Sequence, residues 1–435
     1  MTTMPISHSV LIKNGTIVGA DNQKKIDILI EDGMISALGS DLAEAKKTEV
    51  IDADNLLIFP GLIDCHVHFR EPGLEHKETM ATGAAAALAG GVTTVCEMPN
   101  TIPPTVTVAA LADKVRRASA PTCDIRFFFG ATEPIHLQTL RELWTGTSEE
   151  LQRLKKNCCG LKLYLDDSTG DQKAPHGVIE EAFKLCAELK IVVVCHCEDH
   201  ETNQMESGKR KVESDPAVHS LRRPPESEVK SIEYALSLAK KYGTHLHVAH
   251  LSTKDGLDLI RAAKKTGVNV TCEVAPHHLF LTVDDYKTLG TLAKMNPPLR
   301  TREHQEALWA GIADGTVDCV STDHAPHTLD EKHSDDPMKA PSGVPGVETM
   351  LPLLLTAAND GKLRQSDIVR LCFENPNHIF NLGKQEIAQG APADLILVDP
   401  KKEWVIKGKE LHSKCGWSPF ENWKMTGKVI SHCPH

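Results

Sequence analysis

Hydrophobic and polar residues alternate with a period of two along the first 55 residues, a pattern typical of strands that bury one face. Residues 10–18 contain Asn14-Gly15 between two short apolar runs, and residues 26–36 repeat this arrangement around Asp32-Gly33. Asn-Gly and Asp-Gly favour the two-residue turns of β-hairpins. We therefore predict a hairpin at each of these two places.

A second β-rich stretch lies near the other end of the chain, in residues 395–398 and 403–406. Neither stretch offers enough strands to form a stable sheet by itself. We therefore predict that the two ends of the chain pair with each other and form one small composite β-sandwich.

Between these ends, eight short apolar runs alternate with helix-length segments. The runs are residues 62–69, 93–98, 125–129, 161–165, 191–196, 246–251, 268–274 and 317–323. Strands that alternate with helices predict a parallel sheet, and eight of them predict a (β/α)₈ TIM barrel. A doubly wound open sheet is the alternative that the alternation also permits. The predicted α/β chain then has three parts: sandwich in 1–56, catalytic barrel in 57–383 and sandwich again in 384–435.

The composition is that of an acidic globular protein, which narrows the classes of function. The chain has 48 Lys and Arg against 59 Asp and Glu, a net charge of −11, and 22 His. This charge and the lack of a basic stripe argue against a nucleic-acid partner. No uncharged run is apolar enough for a membrane span, and the first 13 residues lack the segments of a signal peptide. The 13 Cys, with no CxxC pair, indicate reduced thiols, so we expect a cytoplasmic protein.

Side chains that can bind a metal stand at the ends of several predicted strands. His66 and His68 are two apart on the first run, so they point to the same face and can share one metal. His196 and His250 end the fifth and sixth runs, and Asp323 ends the eighth. Taken singly, these three are also compatible with two core histidines and a helix cap. Because barrel active sites gather at the C-terminal ends of the strands, we interpret all five as one metal site, which favours the barrel.

Lys162 is unusual because it lies inside the apolar run Gly160 to Leu165. Burying a charged, unpaired lysine costs several kcal/mol, and burial lowers its pKa and favours the nucleophilic amine. One interpretation is an edge-strand lysine whose charged end reaches solvent. The functional interpretation is reaction with CO₂, which gives a carbamate that bridges two metals.

Six stretches of the chain resemble the dihydroorotases of the amidohydrolase superfamily. They are residues 66–73 (HVHFREPG), 98–101 (MPNT), 160–165 (GLKLYL), 272–281 (CEVAPHHLFL), 321–327 (STDHAPH) and 346–353 (GVETMLPL). HxHxREPG together with DHAPH is highly specific, whereas GxxDxHxH alone marks only the superfamily. The resemblance covers nearly the whole chain. It is closest to class I enzymes and to the dihydroorotase domain of animal multifunctional pyrimidine proteins.

The resemblance implies a zinc-dependent cyclic amidohydrolase that interconverts N-carbamoyl-L-aspartate and L-dihydroorotate in pyrimidine biosynthesis. It implies two zinc ions per subunit, with the ligands His66, His68, carboxylated Lys162 and Asp323 for one, and Lys162, His196 and His250 for the other. A hydroxide between the metals would be the nucleophile, and Asp323 the general acid and base. The implied substrate-binding residues are Arg70, Asn100 and His327 for the carboxylate, and Asn296, Ser342 and Gly343 for the ring.

The chain departs from the family pattern in two places. Many bacterial class I members lack this lysine and use an aspartate from an Asp-Asp-Gly loop instead. This chain has Lys162 and also Asp166-Asp167, followed by Ser168. We favour Lys162 as the bridge and keep Asp166 as its competitor. Near the other end, residues 421–423 (ENW) stand where relatives often carry glycine, and the chain ends at His435 before a final strand that the resemblance predicts.

Two other functions compete with this interpretation. A hydantoinase, dihydropyrimidinase or allantoinase shares the metal ligands, but its substrate lacks the ring carboxylate that Arg70 and His327 would meet. An inactive dihydroorotase-like partner of aspartate carbamoyltransferase would be expected to lose ligands, and all six are present. We expect a homodimer that acts on a small molecule, with no nucleic-acid or membrane partner, and leave a contact with aspartate carbamoyltransferase open.

Overall fold

The computed structural model of the protein describes residues 9–20, 22–43, 48–119, 123–167, 172–209, 215–334 and 336–433. In chain order, its strands are β1 Ser9–Val18, β2 Gln23–Glu31, β3 Met34–Gly39, β4 Thr48–Asp52, β5 Leu57–Pro60, β6 Leu62–Val67, β7 Val92–Glu97, β8 Asp124–Gly130, β9 Cys158–Tyr164, β10 Val193–His196, β11 Leu246–Val248, β12 Val270–Val274, β13 Cys319–Val320, β14 Leu395–Val405 and β15 Lys424–Cys433.

The α-helices are α1 Met80–Ala89, α2 Val108–Arg117, α3 Pro134–Thr145, α4 Glu149–Lys156, α5 His176–Leu189, α6 His200–Lys209, α7 Val218–Arg222, α8 Pro225–Tyr242, α9 Lys254–Lys265, α10 Pro276–Phe280, α11 Tyr286–Leu289, α12 Arg302–Ala313, α13 Leu329–Lys332, α14 Met350–Asn359, α15 Gln365–Val369 and α16 Asn375–Ile379. Short 3₁₀ turns occupy Val283–Asp285, Gly290–Ala293 and Gly408–Glu410, and Arg370–Glu374 is a π-helical turn. Within the described ranges, none of these helices is long and apolar enough to cross a membrane.

Strands β6 to β13 form an eight-stranded sheet in which the spatial order follows the chain order. Neighbouring strands in this sheet pair in parallel. The sheet closes at His324, which bridges Val67 and whose carbonyl accepts the His68 amide at 2.7 Å. Every residue of β6, β7 and β9 is buried, as expected when helices cover the outer face and side chains fill the interior. The predicted barrel is confirmed, and each of its eight strands overlaps a predicted run.

The two ends of the chain meet in a second, seven-stranded sheet. Its order is β15-β14-β5-β1-β2-β3, with β4 also paired to β1, so β14 and β15 join the N-terminal strands through β5. The backbone just before β14 also pairs with β3, where the Ile35 amide donates to the Ala391 carbonyl at 2.9 Å. This contact curls the sheet around a core that includes Ile12, Ile28 and Leu395. The composite sandwich from both termini is therefore present.

The predicted hairpin at Asn14-Gly15 is wrong, whereas the one at Asp32-Gly33 is confirmed. β1 runs through Asn14, whose φ of +64° and backbone amide bond to Asp27 Oδ1 (2.9 Å) form a bulge with a register shift. Asp32 and Gly33 connect β2 to β3 with φ values of +51° and +76°, as a type I′ turn requires. Asn-Gly suits either feature, because both need a left-handed residue.

The last described strand, β15, was not predicted from the sequence. β15 pairs with β14 in antiparallel register, from Leu395 opposite Cys433 to Val405 opposite Lys424. Its sequence, KMTGKVISHC, alternates poorly because only Met425 and Gly427 are fully buried. An edge strand of this kind gives a weak hydrophobic signal, which explains why the periodicity did not reveal it.

Candidate active site

The C-terminal ends of the barrel strands converge on one pocket. The metal-ligand candidates of β6, β9, β10, β11 and β13 come together there, and we call these six residues the histidine cluster: His66, His68, Lys162, His196, His250 and Asp323. The pocket above them is lined by His66, His68, Arg70, Tyr164, His196, His250, Asn296, Asp323, Ala325, Ser342 and Gly343. Parallel strands end at the same face of a barrel, so residues far apart in the chain meet in space.

The first half of the cluster is built from β6 and the end of β13. His68 Nε2 lies 3.0 Å and His66 Nε2 3.4 Å from Asp323 Oδ1. The donor atoms of these three buried residues lie within 4.8 Å of one another, as the ligands of one metal ion must.

The second half is built from β10 and the residue that follows β11. His196 Nδ1 lies 3.0 Å from His250 Nε2, and the two rings are 4.7 Å apart between centroids. The His250 ring is 5.2 Å from that of His66, so the two halves adjoin. Two ring nitrogens that face each other at hydrogen-bond distance can also hold a metal between them after a small movement.

Lys162 lies inside the barrel wall with its ammonium group unsatisfied. The residue is 1% exposed, and within the described part of the chain Nζ has no hydrogen-bond partner. Its Nζ lies over the Tyr164 ring, 5.1 Å from the centroid. Burial lowers the pKa of the Lys162 amine. His250 Nδ1 is likewise buried without a hydrogen bond. Buried polar atoms are almost always satisfied, so the unpartnered Lys162 Nζ points to a ligand from outside the protein chain. His250 faces His196 through its other ring nitrogen, Nε2.

The electrostatics of the pocket suit metal ligands. Burial lowers the pKa of His66, and lowers those of His68 and His250 well below the usual histidine range. Lowered pKa values favour neutral imidazoles, which keep a lone pair for a metal. Burial also raises the pKa of Asp323, although His66 and Lys162 oppose this effect. A carboxylate with a raised pKa is a better proton acceptor.

Three non-glycine residues at the rim have left-handed backbone conformations. Arg70, His250 and Asp323 have φ values of +64°, +33° and +47°. They follow β6, β11 and β13, where each chain leaves its strand. Such conformations cost about 1–3 kcal/mol each and are concentrated at functional sites. Here they turn the three side chains toward the pocket.

The predicted substrate residues fall into two groups. Arg70, Asn296, Ser342 and Gly343 line the pocket directly. His327 stands behind Arg70, where its Nε2 is 3.1 Å from both Arg70 Nη2 and the Ser342 carbonyl.

Asn100 is also placed behind the pocket wall. Its Oδ1 accepts a hydrogen bond from His68 Nδ1 at 2.6 Å. This bond fixes the tautomer of His68 and leaves Nε2 to face Asp323. The residue predicted for the substrate therefore also orients a candidate ligand.

Glu273 in β12 was missed by the sequence analysis. Its carboxylate accepts hydrogen bonds from His66 Nδ1, from His247 Nε2 at 3.2 Å and from the His250 amide at 3.2 Å. Burial opposes its ionisation, but His66 and His247 outweigh burial and hold its pKa well below the usual range. Glu273 thus fixes His66 with Nε2 toward the pocket. An acid within an apolar run was the available signal, the same one that singled out Lys162.

A second, largely buried group adjoins the histidine cluster, and we call it the arginine cluster: Asp166, Glu198, His200, Asn203 and Arg223. Arg223 Nη2 lies 2.6 Å from Glu198 and 2.8 Å from Asp166. Asp166 also accepts from His200 at 2.8 Å and from Asn203 at 2.6 Å. The carboxylate of the competing bridge candidate is thus engaged by three side chains outside the histidine cluster.

Glu198 connects the two clusters. Its Oε2 accepts from His196 Nε2 at 2.9 Å, so Nδ1 is the nitrogen of His196 that faces His250. Burial opposes ionisation of Glu198, but Arg223 and His196 hold its pKa far below the usual range. The sequence placed Glu198 directly after the His196 strand but gave no partner for it.

Comparison with known proteins gives consistent results. The model of the amidohydrolase family matches residues 57–431. A dihydroorotase of Halobacterium salinarum is 41% identical over 398 residues, covering 91% of this chain and 89% of that protein. A dihydroorotase of Staphylococcus epidermidis is 40% identical over 425 residues, covering 96% of each. One of Methanosarcina acetivorans is 38% identical over 427 residues, covering 96% and 88%.

Similar solved structures include hydantoinases. L-Hydantoinase (dihydropyrimidinase) from Arthrobacter aurescens has a TM-score of 0.91 at 29% identity and covers 99% of this chain and 95% of its own. The dihydropyrimidinase from Brevibacillus agri has a TM-score of 0.90 at 26% identity, with 98% and 94% covered. The barrel and terminal sheet are therefore shared widely, while the higher sequence identities are to dihydroorotases.

Proposed function

The chain belongs to the amidohydrolase family, and from that membership we propose that it is a dihydroorotase, a cyclic amidohydrolase of pyrimidine synthesis. The reaction is the reversible closure of N-carbamoyl-L-aspartate to L-dihydroorotate. The observation that carries this proposal is Arg70, a buried guanidinium in the pocket wall beside the convergent metal ligands. A buried cation at this place suits a substrate with a carboxylate next to the reacting amide.

We propose that the histidine cluster holds two zinc ions. His66, His68, Lys162 and Asp323 would hold one, and Lys162, His196 and His250 the other, with Lys162 as a carbamate. Two Zn²⁺ bring four positive charges, four neutral histidines bring none, and Asp323 brings one negative charge. A lysinium would add to the excess, whereas a carbamate lowers it and offers an oxygen to each metal. The unsatisfied Nζ supports this assignment.

When bound, the metals supply Lewis acidity that polarises the ring amide and lowers the pKa of water. Asp323 then moves the proton. In the hydrolytic direction its carboxylate takes the proton of the attacking water and delivers it to the ring nitrogen that leaves. In ring closure the same carboxylate takes the proton from that nitrogen as the N–C bond forms, and gives it to the hydroxide that leaves the carboxyl carbon as water.

The substrate carboxylate would meet Arg70 first. Arg70 Nε is held by the Pro326 carbonyl at 3.1 Å, which aims the outer nitrogens of the guanidinium. His327 supports that side chain from behind and completes the anion site. Since Asn100 Oδ1 is engaged by His68, its amide nitrogen is the group that would donate to the carboxylate. Asn296 and the backbone of Ser342 and Gly343 would contact the pyrimidine ring.

A hydantoinase or dihydropyrimidinase is the second candidate, and the similar solved structures favour it. The two candidates differ in whether the substrate carries a ring carboxylate. We would measure hydrolysis of dihydroorotate, dihydrouracil and hydantoin by absorbance, together with a metal count and chelator treatment. We expect turnover of dihydroorotate, two zinc ions per chain, and loss of turnover on chelation. Equal efficiency on dihydrouracil would favour the second candidate.

The same assay tests whether the chain is an inactive partner of aspartate carbamoyltransferase. All six candidate ligands converge, which favours an enzyme. We also propose a cytoplasmic homodimer, and a contact with aspartate carbamoyltransferase stays open. Sedimentation equilibrium with and without that enzyme tests the oligomeric state and the contact. A monomeric mass would contradict the homodimer, and an unchanged mass on adding the enzyme would contradict the contact.

A further inference from the structure

Two buried lysines lie beneath the pocket wall, and within the described residues their ammonium groups donate hydrogen bonds to main-chain carbonyls. Lys332, the last residue of α13, is fully buried, and its Nζ donates to the carbonyls of Lys294, Pro341 and Gly343 at 2.9, 3.0 and 3.0 Å. Lys294 is 6% exposed, and its Nζ donates to three carbonyls of the adjoining segment, those of Pro337, Met338 and Ala340. In the described part of the chain neither ammonium forms an ion pair with a carboxylate at 4.0 Å or less.

A buried ammonium without a counter-charge is costly, so carbonyl oxygens must offset it. Three carbonyls that point at one nitrogen supply partial negative charge and satisfy all three N–H groups of Lys332. Burial, with help from Lys294 and Arg70, lowers the pKa of Lys332 well below its usual value. A methionine of similar size would pack there at lower electrostatic cost. Packing alone therefore does not explain why a lysine occupies this position.

The carbonyls that Lys332 binds belong to two different walls of the pocket. One wall carries Lys294 and, two residues later, Asn296. The other carries Ser342 and Gly343. The Gly343 amide also donates to the Lys294 carbonyl at 2.9 Å, which joins the two walls. Lys332 Nζ binds the same carbonyl oxygen.

Gly343 shows how closely the Ser342-Gly343 wall approaches its neighbours. Its φ is +141°, and a Cβ at this position would lie 2.4 Å from the Ala325 carbonyl oxygen. The segment can therefore occupy its place only if the backbone approaches the β13 loop without a side chain between them. The position of the Ser342 and Gly343 backbone thus depends on the contacts that hold it.

We propose that Lys332 is a positioning residue that joins the Asn296 and Ser342-Gly343 walls and thereby preforms the site for the pyrimidine ring, with Lys294 holding the adjoining segment. This inference rests on the proposed function. A preformed site avoids the entropic cost of ordering a loop when the substrate binds. Loss of Lys332 should therefore weaken substrate binding more than the chemical step.

The test compares Lys332→Met with wild-type protein loaded with zinc. We expect the KM for dihydroorotate to rise about tenfold, kcat to fall less than threefold and the metal content to stay unchanged. Hydrogen exchange of the amides in residues 336–343 should become faster. The matched control is Lys264→Met, since Lys264 Nζ binds the Thr316 carbonyl and Asp318 at the opposite end of β13. This control should leave KM and exchange in 336–343 unchanged.

If Lys332→Met does not fold, Lys294→Met serves in its place. The same rise in KM and the same faster exchange are expected, because Lys294 holds residues 337–340. An unchanged KM, or a fall in kcat together with metal loss at constant KM, would overturn the inference. Wild-type protein without dihydroorotate turnover would instead refute the proposed function. Hydrogen exchange in residues 336–343 would still show whether Lys332 holds the two walls together.

Discussion

The histidine cluster and the arginine cluster are neighbours that differ in how their buried charged groups are paired. In the arginine cluster, Arg223 has two carboxylate partners, and Asp166 has three donor side chains. In the histidine cluster, Lys162 Nζ and His250 Nδ1 are buried without a hydrogen bond in the described ranges. Both clusters contain buried charge. The charged groups of the arginine cluster pair with one another, although Asn203 Oδ1 is buried there without a hydrogen bond, whereas Lys162 has neither a hydrogen bond nor an ion pair within the described residues.

The difference indicates which cluster does the chemistry. Buried charges that are paired within the protein fix geometry, whereas a buried charged group without a partner points to a ligand from outside the chain. The strained φ values of His250 and Asp323 occur in the same cluster that lacks partners. Substitutions in the two clusters should therefore differ in whether they remove activity or stability.

The largest effect is expected for Lys162→Ala. Removal of the bridge should release at least one zinc and reduce kcat on the order of 10³-fold, as loss of several kcal/mol of transition-state stabilisation implies. Metal analysis and the dihydroorotate assay measure both. Short carboxylates added to this variant should restore part of the activity by standing in for the carbamate. If Lys162→Ala keeps both metals while Asp166→Ala is inactive, the bridge is the aspartate.

Arg70→Ala should follow in size. A charge-assisted contact to a desolvated carboxylate is worth about 1.5–3 kcal/mol, so kcat/KM for dihydroorotate should fall about tenfold or more, with both metals kept. His327→Ala should act in the same direction. Arg126→Ala is the matched control, because Arg126 pairs with Asp124 at the start of β8, away from the pocket. A loss of metal in Arg70→Ala would assign this residue to the cluster instead.

Glu198→Gln probes the link between the clusters. Glutamine keeps the shape but removes the charge that orients His196 and binds Arg223. Loss of such a partner behind a ligand costs about 10–100-fold in metal affinity or activity. Zinc titration against a chelator gives the affinity. Unchanged zinc affinity would show that the two clusters are independent.

The smallest effect on activity is expected for Asp166→Ala. Arg223 keeps Glu198 as its partner, so the loss should appear as about 1–3 kcal/mol of unfolding free energy from the missing hydrogen bonds. Turnover should change by no more than a few-fold, and both metals should stay. Urea unfolding and the activity assay separate the two quantities. A large loss of turnover at normal stability would contradict the division between the clusters.

The fold was predictable because its signal is repeated. Eight apolar runs with polar ends define the barrel, and an error in any one of them changes little. Single turns are harder to predict from the sequence. Asn14-Gly15 forms a β-bulge within a strand, whereas the similar pair Asp32-Gly33 forms a hairpin turn. The poorly alternating β15 gave almost no hydrophobic signal. The role of Glu273 could not be predicted because its hydrogen-bond partner His66 lies far away in the chain.

The sequence by itself determined the barrel, the composite sheet and the types of side chain at the strand ends. It could not decide between Lys162 and Asp166, which are four apart and, with a period of two, would share one face if the strand continued. β9 ends at Tyr164, however, and Asp166 turns toward Arg223, which lies between α7 and α8. That arginine is 57 residues away in the chain. Only the tertiary structure brings the two together, because local periodicity carries no information about which distant charge will neutralise a side chain.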